Sequence, residues 1–411
     1  MIARYKFFSD KLANWHSNSM HKSPIQLTIM QISYGYMTVY QRVQQKVVGM
    51  YYRCIECDKT YPIESRNYRC ECQGLLAFHH KTNRFDFSSL RQCSERSIWR
   101  YRSALPVFDE HIIDSVSMHE GCTAMIRLED HLYGKAEYLM PTLSFKDRGA
   151  VLLACLMKSL SVSSCIVDSS GNAGTAIAAY CARADIACSV YVPESTSSAK
   201  TLQAESYGAT VHRIGATREE TAVRAQEALE ISRAFYASHV YNPIFFEGTK
   251  TYLYEIFEQM DYRLPDMLFV PVGNGTLLFG IAIALQELFA WRLIEKFPLV
   301  VGVQASQCAP LALRSAEEVC LGTVAEGIAI AKPPREKEMI QLMGMLHGIF
   351  VHVSEEQIVQ AQHQLGLKGC YVEPTSAVCY AAYRTLIETH PDFNGLTAVV
   401  PLCSTGLKTL H

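Results

Sequence analysis

Pro141-Thr142-Leu143-Ser144-Phe145-Lys146-Asp147-Arg148-Gly149 is a short polar loop that runs into Ala150 to Leu160, a mostly apolar segment that reads as a buried helix. Lys146 is its obvious candidate for covalent chemistry. A lysine at the mouth of a packed element is partly desolvated and loses its proton more easily than one in water. A neutral amine can bond to an aldehyde carbon. A lone lysine at a helix start is most often only a solvated charge or a salt-bridge partner. Its reading therefore depends on what the rest of the chain brings to it.

Downstream of residue 163 the pattern is regular. Strands are expected at 164–168, 187–192, 209–214, 234–237, 267–271, 299–305 and 398–402. Helices are expected at 175–183, 199–207, 217–233, 248–260 and 277–293. An earlier short strand is expected at 125–129. Such alternation predicts an α/β fold with a mostly parallel sheet covered on both faces. Ligands of such sheets collect at the carboxyl ends of strands, and three turns fall there. Ser169-Ser170-Gly171-Asn172-Ala173-Gly174 offers glycines, helix N–H groups and the bifunctional amide of Asn172. Gly273-Asn274-Gly275-Thr276 can cradle a phosphate through backbone N–H groups and the Thr276 hydroxyl. It has the spacing of neither a dinucleotide-binding fingerprint nor a Walker loop, which disfavours a nicotinamide-dependent dehydrogenase. Leu402-Cys403-Ser404-Thr405-Gly406 places a thiol and hydroxyls after the last strand.

The chain has 411 residues, 49% of them hydrophobic, enough for two packed domains. A formal charge of -2 gives no basic excess for nucleic acid or an anionic membrane. No run of 18 apolar residues suggests a membrane span, and residues 1–50 lack the apolar core of a secretory signal, so a cytoplasmic location is expected. Scattered cysteines such as Cys155, Cys165, Cys181 and Cys188 fit small buried hydrophobes in a reducing compartment. Residues 25–50 are expected to form a helical extension on the body or on a second subunit. Cys54 and Cys57, then Cys70 and Cys72, form two pairs across a short loop, the pattern of a zinc ribbon, although the second pair has one intervening residue where two are usual. His79 or His80 are alternative ligands. The competing reading is a knuckle held by packing, with free thiols.

Taken in order, Pro-Thr-Leu-Ser-Phe-Lys-Asp-Arg-Gly, the Ser-Ser-Gly-Asn-Ala-Gly turn, the later glycine loop and the ending Leu-Cys-Ser-Thr-Gly-Leu-Lys resemble the tryptophan-synthase-β-like, fold type II pyridoxal-phosphate enzymes. The threonine-synthase branch is similar also in Asn242-Pro243…Glu247-Gly248-Thr249-Lys250-Thr251, in Ala325-Glu326-Gly327-Ile328 and in the cysteine pairs. The resemblance spans about residues 50–411. It implies a two-domain fold with residues 93–162 and 262–411 in a large cofactor-binding domain and 163–261 in a small α/β domain, behind a cysteine-pair segment at 51–92 and an extension at 1–50. It implies pyridoxal 5'-phosphate held covalently by Lys146, which also moves the proton. Asn172 would contact the cofactor's 3-oxygen, Gly273, Asn274, Gly275 and Thr276 its phosphate, and Cys403 and Ser404 the region of its pyridine nitrogen. Ser169, Ser170 and Thr175 would line the substrate carboxylate site, and Ser144 and Asp147 the side-chain pocket. A homodimer acting on a small amino acid is implied as well.

The chain departs from the family pattern in informative places. Met140 replaces an asparagine and Leu143 a glycine, and Ile244, Phe245 and Phe246 fill a stretch where the family carries an arginine. Fewer polar and cationic groups weaken the case for a phosphorylated substrate; Arg148 and Lys250 remain as cations. The expected activity is replacement or elimination at a β or γ carbon, nearest to threonine synthase, with a β-replacing synthase or a serine/threonine or diaminopropionate lyase as alternatives. A catalytically silent binding protein on the same fold is the alternative of another class.

Overall fold

The computed structural model describes residues 49–80, 82, 84–313, 320 and 322–409, so the extension expected at 25–50 lies almost wholly outside the described residues. The first described segment is a small antiparallel sheet. Strand β1 (Tyr51–Cys54) lies between β2 (Thr60–Pro62) and β3 (Leu76–His79). After two 3-10 stretches comes a hairpin of β4 (Met125–Glu129) and β5 (Leu132–Lys135), which lies at the edge of a larger sheet.

The chain then builds a four-stranded parallel sheet from β6 (Ser164–Asp168), β7 (Ala187–Val192), β8 (Thr210–Arg213) and β9 (Phe235–Tyr236), ordered β8-β7-β6-β9. It returns to the larger sheet with β10 (Met267–Pro271), β11 (Leu299–Ala305), β12 (Ile349–Val353) and β13 (Ala398–Pro401). That sheet has the order β12-β11-β10-β13-β5-β4, parallel except for the β4–β5 hairpin. β10, β11 and β13 are buried at every position. This is why they read as unbroken apolar runs, the signature of parallel strands covered on both faces.

The helix Asp147–Ser159 is buried from Asp147 to Met157, and so shows no polar face in the sequence. It packs against the helices Asn172–Ala184 and Ile244–Thr249 and contributes to one large core that includes residues of both parallel sheets. Gly149 allows the second of these contacts: a Cβ there would lie 2.3 Å from the Phe245 ring.

Three helices start three or more residues earlier than expected, the one after Lys146 at Asp147 rather than Ala150. Gly171 is the N-cap residue, so Asn172 opens its helix and Thr175 lies in the first turn. The helix expected at 248–260 is two short helices, Ile244–Thr249 and Thr251–Gln259, meeting at Lys250. Asn242 starts the first of these by accepting a hydrogen bond from the Ile244 N–H at 3.2 Å through its side-chain oxygen. Cys155, Cys165, Cys181 and Cys188 are buried free thiols, while a disulfide joins Cys308 and Cys320. No helix among the described residues is long and apolar enough to cross a membrane.

Candidate active site

Four connections at the carboxyl ends of strands converge: the loop after β5, the turns after β6 and β10, and the segment after β13. The first and last are tied together. Ser144 and Ser404 form an isolated β-bridge, and the Phe145 N–H donates to the Cys403 carbonyl at 3.0 Å. Lys146 is the N-cap residue of the buried helix, and its Nζ donates to the Thr276 hydroxyl at 2.7 Å. The turn after β6 joins through Asn172. Its Nδ2 donates to both carboxylate oxygens of Glu373, at 3.2 and 3.1 Å. Its Oδ1 accepts from Lys408 Nζ at 3.0 Å and from the Ser404 hydroxyl at 3.4 Å.

The electrostatics follow from burial. Lys146 Nζ lies 4.6 Å from the Phe145 ring centre and 5.8 Å from that of Phe245. Desolvation lowers its pKa to about 8, with Cys403 and Glu373 opposing the shift. Lys408 is lowered to about 8 for the same reason, against Asp147 and Glu373. Burial raises Glu373, with Asn172, Lys408, Ser404 and Lys146 opposing. Burial also pushes the Cys403 thiol well up, so it stays neutral.

The glycine turns have steric reasons. A Cβ at Gly273 would lie 2.9 Å from the Ile328 Cα. Gly275 has φ 76°, and a Cβ there would meet the Met339 sulfur at 2.3 Å. Gly174 backs onto the Ser169 carbonyl, where a Cβ would sit at 2.1 Å. The turn is thus tightly folded behind, while at Gly171 a Cβ would meet nothing within 4 Å. The helices Asn172–Ala184 and Thr276–Ala290 begin at these turns, and their first N–H groups have no intrahelical acceptor. These are suitable donors for a phosphate or carboxylate. The Ser144 hydroxyl is buried without a hydrogen-bond partner. A partly neutral lysine, two helix N-termini, an unsatisfied hydroxyl and a neutral thiol together fit an anionic aldehyde cofactor of the pyridoxal-phosphate kind.

Some expected site residues turn elsewhere. Asp147 accepts from the Thr142 N–H at 2.7 Å and from the Thr142 hydroxyl, and burial raises its pKa to about 7. These bonds close the lysine loop on itself. Thr175 is buried, with its hydroxyl 3.4 Å from the Gly171 carbonyl; Ser169 and Ser170 are half-buried along the turn. Neither Arg148 nor Lys250 is available to an anion. Arg148 is fully buried between Glu137 and Glu255, at 2.7 and 2.6 Å, and Lys250 between Glu247 and Glu287, at 2.6 and 2.9 Å. The sequence reading missed Glu373 and Lys408. Lys408 ends the very segment singled out as Leu-Cys-Ser-Thr-Gly-Leu-Lys, which was the available signal. His239, buried near Lys146 with Nδ1 unpaired, was missed too.

Comparison with known proteins gives a consistent picture. Residues 116–404 match the family model described as "Pyridoxal-phosphate dependent enzyme". The threonine synthase of Methanocaldococcus jannaschii is 33% identical over 360 residues, covering 82% of this chain and 88% of the relative. That of Methanosarcina acetivorans is 30% identical, covering 82% and 86%. Among solved structures, a threonine deaminase from T.th. matches with a TM-score of 0.56 at 26% identity, covering 69% of this chain and 91% of that one. O-ureido-L-serine synthase matches with a TM-score of 0.61 at 20% identity, covering 73% and 92%, a likeness of fold.

Proposed function

The chain belongs to the pyridoxal-phosphate-dependent enzymes, and on that premise we propose that it replaces or eliminates a group at the β or γ carbon of a small amino acid. The leading reading is the conversion of O-phosphohomoserine and water to threonine and phosphate. The observation that carries the proposal is the half-buried Lys146 amine, lowered to about 8 beside two phenyl rings and directed at the glycine turn after β10.

Bound pyridoxal phosphate supplies an aldehyde that bonds to an amine and a ring that takes up the electron pair left when the α-proton departs. The chain's own groups supply the rest. Lys146 Nζ would be the amine that holds the cofactor and, when free, the base that takes the α-proton, matched to near-neutral pH. Gly273, Asn274, Gly275 and Thr276 would hold the cofactor phosphate on N–H groups and a hydroxyl. Asn172, hydrogen-bonded to Glu373 and Lys408, would contact the 3-oxygen. Cys403 and Ser404 would offer a neutral thiol and a hydroxyl to the pyridine nitrogen. Ser169, Ser170 and Thr175 line the place of the substrate carboxylate, and Ser144 borders its side chain.

The relatives named threonine synthase support the leading reading, together with Lys408, a half-buried amine in contact with Asn172. A second reading rests on a separate observation. Arg148 and Lys250 are engaged by four carboxylates, which leaves fewer cations for a phosphorylated side chain and favours an unphosphorylated hydroxy or acetylated amino acid. The test is to offer the cofactor-loaded protein O-phosphohomoserine, O-phosphoserine, O-acetylserine, serine and threonine, following the cofactor spectrum and released phosphate, acetate, keto acid or threonine. Threonine and phosphate from O-phosphohomoserine support the leading reading. Keto acid from serine or threonine, or acetate from O-acetylserine, with O-phosphohomoserine inert, supports the second. If no substrate perturbs the spectrum, both fail.

A further inference from the structure

The small sheet ahead of the catalytic body has a core too thin to explain its order. Its buried residues are Tyr52, Cys54, Tyr61, Cys70 and Leu76, with Ile63 and Phe78 partly covered. Two of those five are cysteines. A segment of this size, below about 40 residues, usually needs a cross-link, a metal or a partner surface to hold its shape. The described residues of the sheet contain no disulfide.

The sulfur atoms of Cys54, Cys57, Cys70 and Cys72 all lie within 4.8 Å of one another. Cys54–Cys72, Cys57–Cys70 and Cys57–Cys72 are each separated by 3.5 Å. A disulfide requires about 2.05 Å. Four sulfurs arranged tetrahedrally around zinc at about 2.3 Å lie roughly 3.8 Å apart. The observed spacings are those of four ligands around one ion, not of two covalent pairs.

The backbone is shaped for the same purpose. Each cysteine pair is followed by a residue in the left-handed region, Asp58 at φ 61° and Gln73 at φ 69°. In the first turn Asp58 N–H donates to the Cys54 carbonyl, and in the second Gln73 N–H donates to the Cys70 carbonyl. The left-handed residue turns the chain back immediately after the second cysteine of each pair. This makes the shorter Cys-x-Cys spacing sufficient. The Glu56 N–H points at the Cys54 sulfur at 3.4 Å, and the Tyr61 hydroxyl lies 3.1 Å from the Cys70 sulfur. Gly74 completes the turn, since a Cβ there would lie 2.6 Å from the Cys54 sulfur. The two histidines do not take part. His79 stacks on Tyr51, and His80 Nε2 pairs with Glu247 at 2.9 Å.

We propose that Cys54, Cys57, Cys70 and Cys72 bind a single zinc ion as four thiolates, their protons leaving to solvent, and that this ion fixes the small sheet against the wall of the catalytic cleft. The contacts across that junction are specific. Arg335, fully buried, donates to the Leu76 carbonyl on β3 at 2.9 Å and to the Val240 carbonyl on the body at 2.7 Å. His80 reaches Glu247 on the helix Ile244–Thr249, which also carries Phe245 beside Lys146. Without the ion β1, which pairs with β3, loses its anchor at Cys54, the turn before β3 loses its anchor at Cys70, and the junction has nothing rigid to grip.

The test uses the full chain purified under reducing conditions without added chelator. Metal analysis by mass spectrometry is expected to find one zinc per chain, released by a thiol-directed mercurial in step with exposure of four reactive thiols. Exchange into cobalt(II) is expected to give the visible d–d bands and the thiolate charge-transfer band of a tetrahedral tetrathiolate site. Cys57→Ser and Cys72→Ser, at the two exposed ligands, are expected to lose the metal and lower the melting temperature while cofactor is still taken up. Because metal content and cobalt spectra are read without turnover, failure here is separate from failure of the proposed reaction. Four freely titrating thiols that take up neither zinc nor cobalt, two disulfides, or iron in place of zinc would overturn the assignment.

Discussion

Lys146 is lowered because it is surrounded by apolar groups rather than because a cation repels it. Burial is the dominant cause, and its acidic neighbours act in the opposite sense. Two consequences follow. Covalent capture of pyridoxal phosphate by the cofactor-free chain is expected to rise with pH through a midpoint near 8, measured by the rate of spectral change, and Lys146→Arg to abolish it throughout. The second consequence concerns stability. The unfolded chain keeps this proton up to about 10.5, whereas the folded chain gives it up near 8. Protonation therefore favours unfolding, and the contribution of this group to folding improves as pH rises from about 8 towards 10.5. Lys408 acts in the same sense. Lys146→Met is expected to flatten the rise in urea midpoint across that window; an unchanged slope would contradict the assignment of the shift. Lys408 also bears on substrate choice. If the substrate is phosphorylated, Lys408→Met is expected to raise KM about 10- to 100-fold, the value of one charge-assisted hydrogen bond. Turnover of an unphosphorylated amino acid should show no comparable rise.

The lysine loop and its helix are held by an unusual amount of buried charge. Arg148, Glu137, Glu255 and Lys135 form a closed network that also satisfies Thr123 and Thr251. Removing one member leaves the others buried and unpaired. Arg148→Leu is therefore expected to cost about 3–5 kcal/mol in equilibrium unfolding. Gly149→Ala places a methyl group against Phe245 and is expected to cost about 1–3 kcal/mol. Leu143 is different. It adopts φ 65°, a conformation costing an ordinary side chain about 1–2 kcal/mol, at the position where the sequence departs from a family glycine. Since the side chain is about a third exposed, Leu143→Gly is expected to raise the melting temperature, and a fall would show that its packing outweighs the strain. At this scale the sequence was informative where periodicity is local. β4, β6, β7, β10 and β11 fall at the expected residues, and β6, β7, β10 and β11 do so because each is a largely apolar run between turn signals. The split at Lys250 was hidden because both short helices share one continuous apolar pattern.

Across the whole molecule, the connections after β5, β6, β10 and β13 meet around Lys146 and Asn172. The lysine motif, the two glycine turns and the closing segment were legible because each carries its own local signal: a charged residue opening an apolar helix, or glycine between strand and helix. Glu373 and Lys408 were not, because their role exists only through contact with Asn172, 201 and 236 residues away. The burial of Arg148 and Lys250 was equally invisible, since a cation's direction depends on distant carboxylates. The central claim concerns one amine among these converging loops. Its most direct test is to load the protein with pyridoxal phosphate, reduce with borohydride, digest, and locate the pyridoxyl group by mass spectrometry. The account predicts a single modified site at Lys146, lost in Lys146→Ala along with the visible absorbance. Label at Lys408 or a surface lysine instead, or a protein that takes up no cofactor, would contradict it.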